Sequence, residues 1–113
     1  MKRPVVIAEP ALLDLLDINE YYLVEVDNKT AAKIIDRLEV AVNSLADFTE
    51  LCSIPTELLT LGIRQYRQVI VKPYRIICEQ LPETTIVHAI LDGRWDMETL
   101  LTQRLVRFGL QSP

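Results

Sequence analysis

At Gly62 the hydrophobic period of the chain changes. Upstream, apolar residues recur about every three to four positions; downstream they form short β-branched runs separated by turn residues. Helical and strand segments that are segregated rather than alternating specify an α+β architecture. The 113 residues read as a single domain over 1–113, long enough to bury roughly two thirds of the surface the unfolded chain exposes. With 50% apolar and 25% charged residues, disorder is excluded, since disordered chains lack the apolar content to offset their ordering entropy.

Val5, Val6 and Ile7 predict a short strand over 4–8. Pro10 then suits the first turn of a helix, where its missing N–H costs nothing. Over 11–26, Leu12, Leu15, Leu16, Tyr22, Leu23 and Val26 are assigned to one buried face, interrupted by Asn19, while Asp14, Asp17 and Glu25 point away. Asp27 and Asn28 stop this helix, and Asn28 is assigned as the cap of the next. That helix, over 30–46, carries a stripe of Ala31, Ile34, Ile35, Leu38, Val42 and Leu45. The two helices make an antiparallel hairpin. Pro55 and Thr56 open a short helical turn through Leu59, and Gly62 closes it.

Three strands follow, over 63–71, 74–80 and 84–91, with turns at Lys72-Pro73 and Pro82. They predict an antiparallel meander. A final helix over 96–106 places Met97, Leu100, Leu101 and Leu105 on one side. Runs such as Val69-Ile70-Val71 and Ile76-Ile77-Cys78 are apolar on both sheet faces. The hairpin covers one face, so either the last helix or a partner segment must cover the other.

Charge narrows the partners. The net charge is −4. Residues 1–61 hold five Lys/Arg against eleven Asp/Glu, and residues 62–113 hold seven against five. An acidic whole argues against general nucleic-acid binding but leaves room for a local basic patch. Arg64, Arg67, Lys72, Arg75 and Arg94 are the cations of the late strands and turns, and adjacent strands about 5 Å apart can gather them. Such a patch suits a phosphate or the carboxylates of a partner helix. Tyr66 and Tyr74 are candidates for stacking or proton donation. Trp95 is either a lid on the core or an anchor for a partner. His88, the only histidine, lies mid-strand and reads as a hydrogen-bonded structural group rather than an acid–base group. Asp92 and Asp96 flank Arg94 and predict a turn held by an ion pair. Cys52 and Cys78 show no metal or redox spacing and read as reduced hydrophobes. No metal or other cofactor is expected. The apolar run after Met1-Lys2-Arg3 is shorter than the ~7–15 residues of a signal-peptide core. No stretch approaches the ~18 residues of a membrane span. The expected location is the cytoplasm.

Three segments carry a resemblance to a known family. They are Leu45-Ala46-Asp47-Phe48; Gly62-Ile63-Arg64-Gln65-Tyr66-Arg67 with Tyr74-Arg75-Ile76-Ile77; and Ile90-Leu91-Asp92-Gly93-Arg94-Trp95-Asp96. In this order, over roughly 8–101, they resemble the ParE/RelE toxins of type II bacterial toxin–antitoxin systems, and ParE more closely. Resemblance to ParE implies a toxin that poisons DNA gyrase and is neutralised by a cognate antitoxin in a hetero-oligomer. Arg64, Arg67, Tyr74, Arg75, Arg94 and Trp95 are then the candidate contact residues. Resemblance to RelE implies an endoribonuclease cutting messenger RNA on the ribosome, with Arg64, Lys72, Arg75, His88 and Arg94 as candidate catalytic groups. A third implied role is an inactive member that only binds antitoxin. Where many members read His-Gly-Arg-Arg-Asp, this chain reads Asp92-Gly93-Arg94-Trp95-Asp96. An aspartate held beside an arginine is a poor proton acceptor at neutral pH, which favours the gyrase reading.

Overall fold

The computed structural model describes residues 4–47, 52–94 and 96–107. Its elements run β1 (Val5–Ile7), α1 (Glu9–Glu25), α2 (Asn28–Ser44), α3 (Thr56–Leu59), β2 (Tyr66–Val71), β3 (Tyr74–Gln80), β4 (Thr85–Asp92) and α4 (Met97–Arg107). Phe48, Trp95 and the side chain of Leu105, each given a role above, lie outside the described residues.

Local chemistry sets the helix ends. Pro10 occupies the first turn of α1. Asp27, not Asn28, caps α2: its carboxylate accepts the Thr30 amide at 2.6 Å, and Asn28 becomes the first helical residue. At the end of α3, Gly62 adopts φ +76°. Its amide reaches Leu59 O, and the Ile63 amide reaches Leu58 O, each at 3.0 Å. This paired closure satisfies the helix carbonyls. It commits Ile63 to the turn, so β2 starts at Tyr66 rather than at 63.

The sheet has the order β1-β4-β3-β2. β2, β3 and β4 form the antiparallel meander, and β1 pairs parallel to β4, with Val5 opposite Thr85 and Ile7 opposite Val87. Between β3 and β4 the register shifts: Ile77 faces Ala89, but Cys78 faces Val87. His88 is the extra residue, a β-bulge in β4.

Alternation gives each face its own core. Tyr74, Ile76, Cys78, Val87 and Ile90 meet Ala11, Leu38, Val42 and Leu45 of the hairpin. On the opposite face Tyr66, Ile77, Ala89 and Leu91 meet Leu58 of α3 and Met97 and Leu101 of α4. The chain therefore covers the second face of its own meander, and no partner segment is needed there.

The stripe on α2 is as the periodicity predicts, but that on α1 is not. α1 buries Ala11 and packs Leu15, Ile18 and Tyr22 inward, while Leu12, Leu16, Leu23 and Val26 are exposed. α1 carries large apolar residues on its outer as well as its inner side, so spacing alone does not single out its buried side. Asp14, expected to point outward, turns in. It is placed where β1 has ended and β4, still paired to β3, has an open edge: Ala8 donates to Val87 O at 2.9 Å, and Ile90 N–H donates to Asp14 Oδ2 at 3.0 Å. The other Asp14 oxygen accepts from Arg104 of α4. One carboxylate thus joins α1, β4 and α4. Among the described residues no helix is long and apolar enough to cross a membrane.

Candidate functional site

The strand cations fall into two groups rather than one patch. Arg64 and Arg67 stand at the start of β2, where the Arg67 guanidinium hydrogen-bonds the Arg64 carbonyl. Lys72, Arg75 and Arg94 gather around the β2–β3 turn and the end of β4, at the far end of the strand and roughly 13 Å away. The register also places Arg67, opposite Cys78, and Arg75, opposite Ile70, on different sheet faces. A single patch is thus prevented by pleat and strand length together.

At the second group Gly93 is the pivot. Its amide donates to Pro73 O at 2.7 Å, tying the end of β4 to the β2–β3 turn. A Cβ there would lie 3.0 Å from Pro73 O and 3.5 Å from Arg75 Nε, so any larger residue requires the Pro73 carbonyl to give by a few tenths of an ångström. Arg75 Nη1 contacts both Glu57 oxygens, at 3.0 and 3.1 Å, and Gln68 Oε1 at 3.3 Å. Arg75 therefore tethers α3 to the sheet. Arg94 is held by Asp92, with Nη2 to Oδ2 at 2.7 Å and its backbone amide to Oδ1 at 2.9 Å. That hydrogen bond and charge hold the Arg94 guanidinium above its ordinary pKa. The ion-paired turn is as the sequence predicts, except for Asp96, which instead accepts the Thr99 amide at 3.3 Å and the Thr99 hydroxyl at 2.7 Å at the start of α4. Arg37 of α2 joins the group by donating to Lys72 O at 3.3 Å. Trp95 lies outside the described residues.

Among the described residues, Tyr74, Tyr66, His88 and Cys78 are each engaged by a neighbouring side chain. Tyr74 is buried and its hydroxyl donates to Tyr22 at 3.2 Å; burial, then this contact, push its pKa above the ordinary value. Tyr66 is raised by burial and by the Glu79 charge. His88 Nε2 lies 2.9 Å from Glu79 Oε1, and its ring stands edge-on to Tyr66 at 5.6 Å. The bulge turns His88 onto the α3/α4 face, into a structural pairing. Cys52 and Cys78 are both reduced; contact with Cys52 and burial push the Cys78 thiol well up.

Sequence reasoning missed Glu57, Gln68, Arg37 and Asp14. Glu57 had a signal, being an acid in the short helix before β2 while Arg75 on a central strand required a partner. Asp14 also had one: it falls between Ala11 and Ile18 on the buried side of α1. Between α1, the ends of β3 and β4, and α4 lies a cleft of about 540 Å³. Asp17, Ile18 and Tyr21 form one wall, Tyr74 and Leu91 the floor, and Arg94 and Leu100 the other side.

This fold and site were compared with known proteins. Residues 5–97 match the family model for the ParE toxin of the type II toxin–antitoxin system parDE. The chain belongs to the ParE toxin family. It is a ParE-type toxin of a type II toxin–antitoxin system, as its resemblance implied. A solved structure of the chromosomal ParDE TA system from P. aeruginosa is similar in fold, with a TM-score of 0.67 at 14% identity, over 80% of this chain and 96% of that one. No curated protein sequence matches.

Proposed function

We propose that this ParE-type toxin arrests bacterial growth by poisoning DNA gyrase and is neutralised by a cognate antitoxin that binds it directly. The observation that carries the choice of target is the engagement of His88, Tyr74, Arg75 and Arg94 by other side chains of the chain. Cleavage of RNA by its own 2′-hydroxyl needs a base, an acid and free cations at the scissile phosphate. Here His88 is turned onto Glu79, Tyr74 onto Tyr22, Arg75 onto Glu57 and Arg94 onto Asp92. Arginines held in ion pairs at the surface suit recognition of a protein.

Purified toxin is expected to trap gyrase–DNA cleavage complexes and to leave messenger RNA on translating ribosomes intact. Codon-specific cuts in the ribosomal A site that are lost on Arg75→Ala would overturn this and establish the endoribonuclease. Expression of the toxin alone is expected to stop growth, with co-expressed antitoxin restoring it. Normal growth in the presence of folded protein would favour the inactive member.

A further inference from the structure

The exposed side of α1 has a composition that specifies what covers it. Leu12, Leu13, Leu16, Leu23 and Val24 are exposed at 45%, 52%, 55%, 44% and 71%. Tyr21, also half exposed, continues this surface to the mouth of the cleft. Clustered exposed leucines on one side of a helix point to an interface rather than a solvated face. The interleaved charges have one sign. α1 carries Glu9, Asp14, Asp17, Glu20 and Glu25 and no Lys, Arg or His. α2, its neighbour in the hairpin, mixes Lys29, Lys33 and Arg37 with Asp36 and Glu39.

We infer that α1 is the docking surface for a cationic amphipathic helix of the partner, a segment whose apolar side chains meet Leu12, Leu16 and Leu23 and whose Lys or Arg residues meet Glu9, Asp17 and Glu20. This rests on the antitoxin-binding half of the proposed function and adds the chemistry of the bound segment. A second copy of the chain is disfavoured, since α1 against α1 sets acids against acids with no compensating cation. An acidic segment is disfavoured for the same reason. The cleft extends the apolar surface: Ile18, Leu91 and Leu100 line it, with Asp17 on the α1 side and the Asp92–Arg94 ion pair on the other.

The test uses the full chain and two synthetic helical peptides of ~20 residues. They share leucines at helical spacing and differ only in carrying lysine or glutamate at the flanking positions. Fluorescence anisotropy should show the lysine peptide binding at least about tenfold tighter, with the advantage shrinking as salt screens it. The double variant Asp17→Lys/Glu20→Lys should reverse the preference. Leu16→Ser should weaken both peptides. Glu39→Lys/Glu83→Lys, on exposed positions of α2 and the β3–β4 turn, changes net charge equally and should leave the preference in place. Equal binding of the two peptides, or an effect of Glu39→Lys/Glu83→Lys as large as that at Asp17 and Glu20, would overturn the inference. So would a concentration-dependent dimer of the free chain abolished by Leu16→Ser, because α1 would then serve a second copy. Growth arrest and antitoxin rescue are read separately. A chain that is rescued but prefers the acidic peptide keeps its toxin role and loses this inference; a chain that fails to arrest growth but prefers the lysine peptide does the reverse.

Discussion

Removing the Asp14 carboxylate should unfasten three elements at once. Asp14→Ala strands the Arg104 guanidinium, whose side chain is only 15% exposed, and leaves the Ile90 amide without its acceptor. Arg104 Nη1 already lacks a hydrogen-bond partner among the described residues, so no reserve contact takes up the lost one. A hydrogen bond to a charged group contributes about 1.5–3 kcal/mol. Breaking a fully buried ion pair costs about 3–5 kcal/mol, and slight exposure lowers that figure. The two terms share one carboxylate and do not add, so the expected loss is about 3 kcal/mol. At about 4 °C per kcal/mol for a domain of this size, the midpoint should fall by about 12 °C. Asp14→Asn keeps an acceptor for Ile90 and should lose only about 1–2 kcal/mol. Asp14→Ala/Arg104→Met removes the stranded charge and should be more stable than Asp14→Ala alone. Urea unfolding followed by circular dichroism measures all three. A loss below about 1 kcal/mol for Asp14→Ala, or a double variant as unstable as the sum of its singles, would refute the joint.

Other perturbations follow from the same structure. Gly93→Ala should destabilise the fold by about 1–3 kcal/mol, because its Cβ meets Pro73 O at 3.0 Å and backbone does not yield as a flexible side chain would; thermal melts check it. Arg75→Ala should free α3 from the sheet, read as faster amide exchange at Leu58–Gly62 with slower exchange retained in β3 and β4. Asp27 and Asp96 are held below the ordinary value of 3.8, chiefly by hydrogen bonds from Thr30 and Thr99. Their stabilisation is present above about pH 4 and is lost as pH falls through the lowered folded values; Asp27→Asn/Asp96→Asn should flatten the acid limb of a stability–pH profile. Cys78 should resist alkylation in the native state and react only on unfolding, its buried thiol being held protonated.

The elements and their order were legible because each local signal agreed with the fold. Lys72-Pro73 between β-branched runs specified the β2–β3 turn, and the α2 stripe from Ala31 to Leu45 specified its buried face. The limits of that legibility have physical causes. In α1, leucines lie on the outer as well as the inner side, so the buried side is selected by fit to the sheet, where small Ala11 allows close approach. The position of β1 beside β4 was not readable, since three β-branched residues carry no partner information. The cationic patch failed because a one-residue difference in pleat phase sends Arg67 and Arg75 to opposite faces. Glu57 required knowing that α3 lies over the Arg75 face, a long-range fact that no local window contains.

The ambiguity of α1 and its exposure have one cause. A helix that serves only the core needs one apolar side, and selection for solubility would make the other polar. α1 instead keeps leucines on its outer side and separates them with acids alone, which maintains solubility of the free chain through net charge while leaving the apolar surface available. The outer side also adjoins the Asp92-Gly93-Arg94 turn: Asp17 and Tyr21 share the cleft with Arg94. A helix seated on α1 with one side chain in that cleft therefore covers the surroundings of Arg94 without contacting the meander's second face, which α3 and α4 already occupy. Binding energy would arise mainly from apolar burial along α1, while the uniform acid pattern selects the sign of the partner's charge and suppresses self-association. Affinity and specificity are thereby assigned to different residues of one helix, so the leucine and acid substitutions should separate them: the former weakens every helix alike, and the latter changes which helix is preferred.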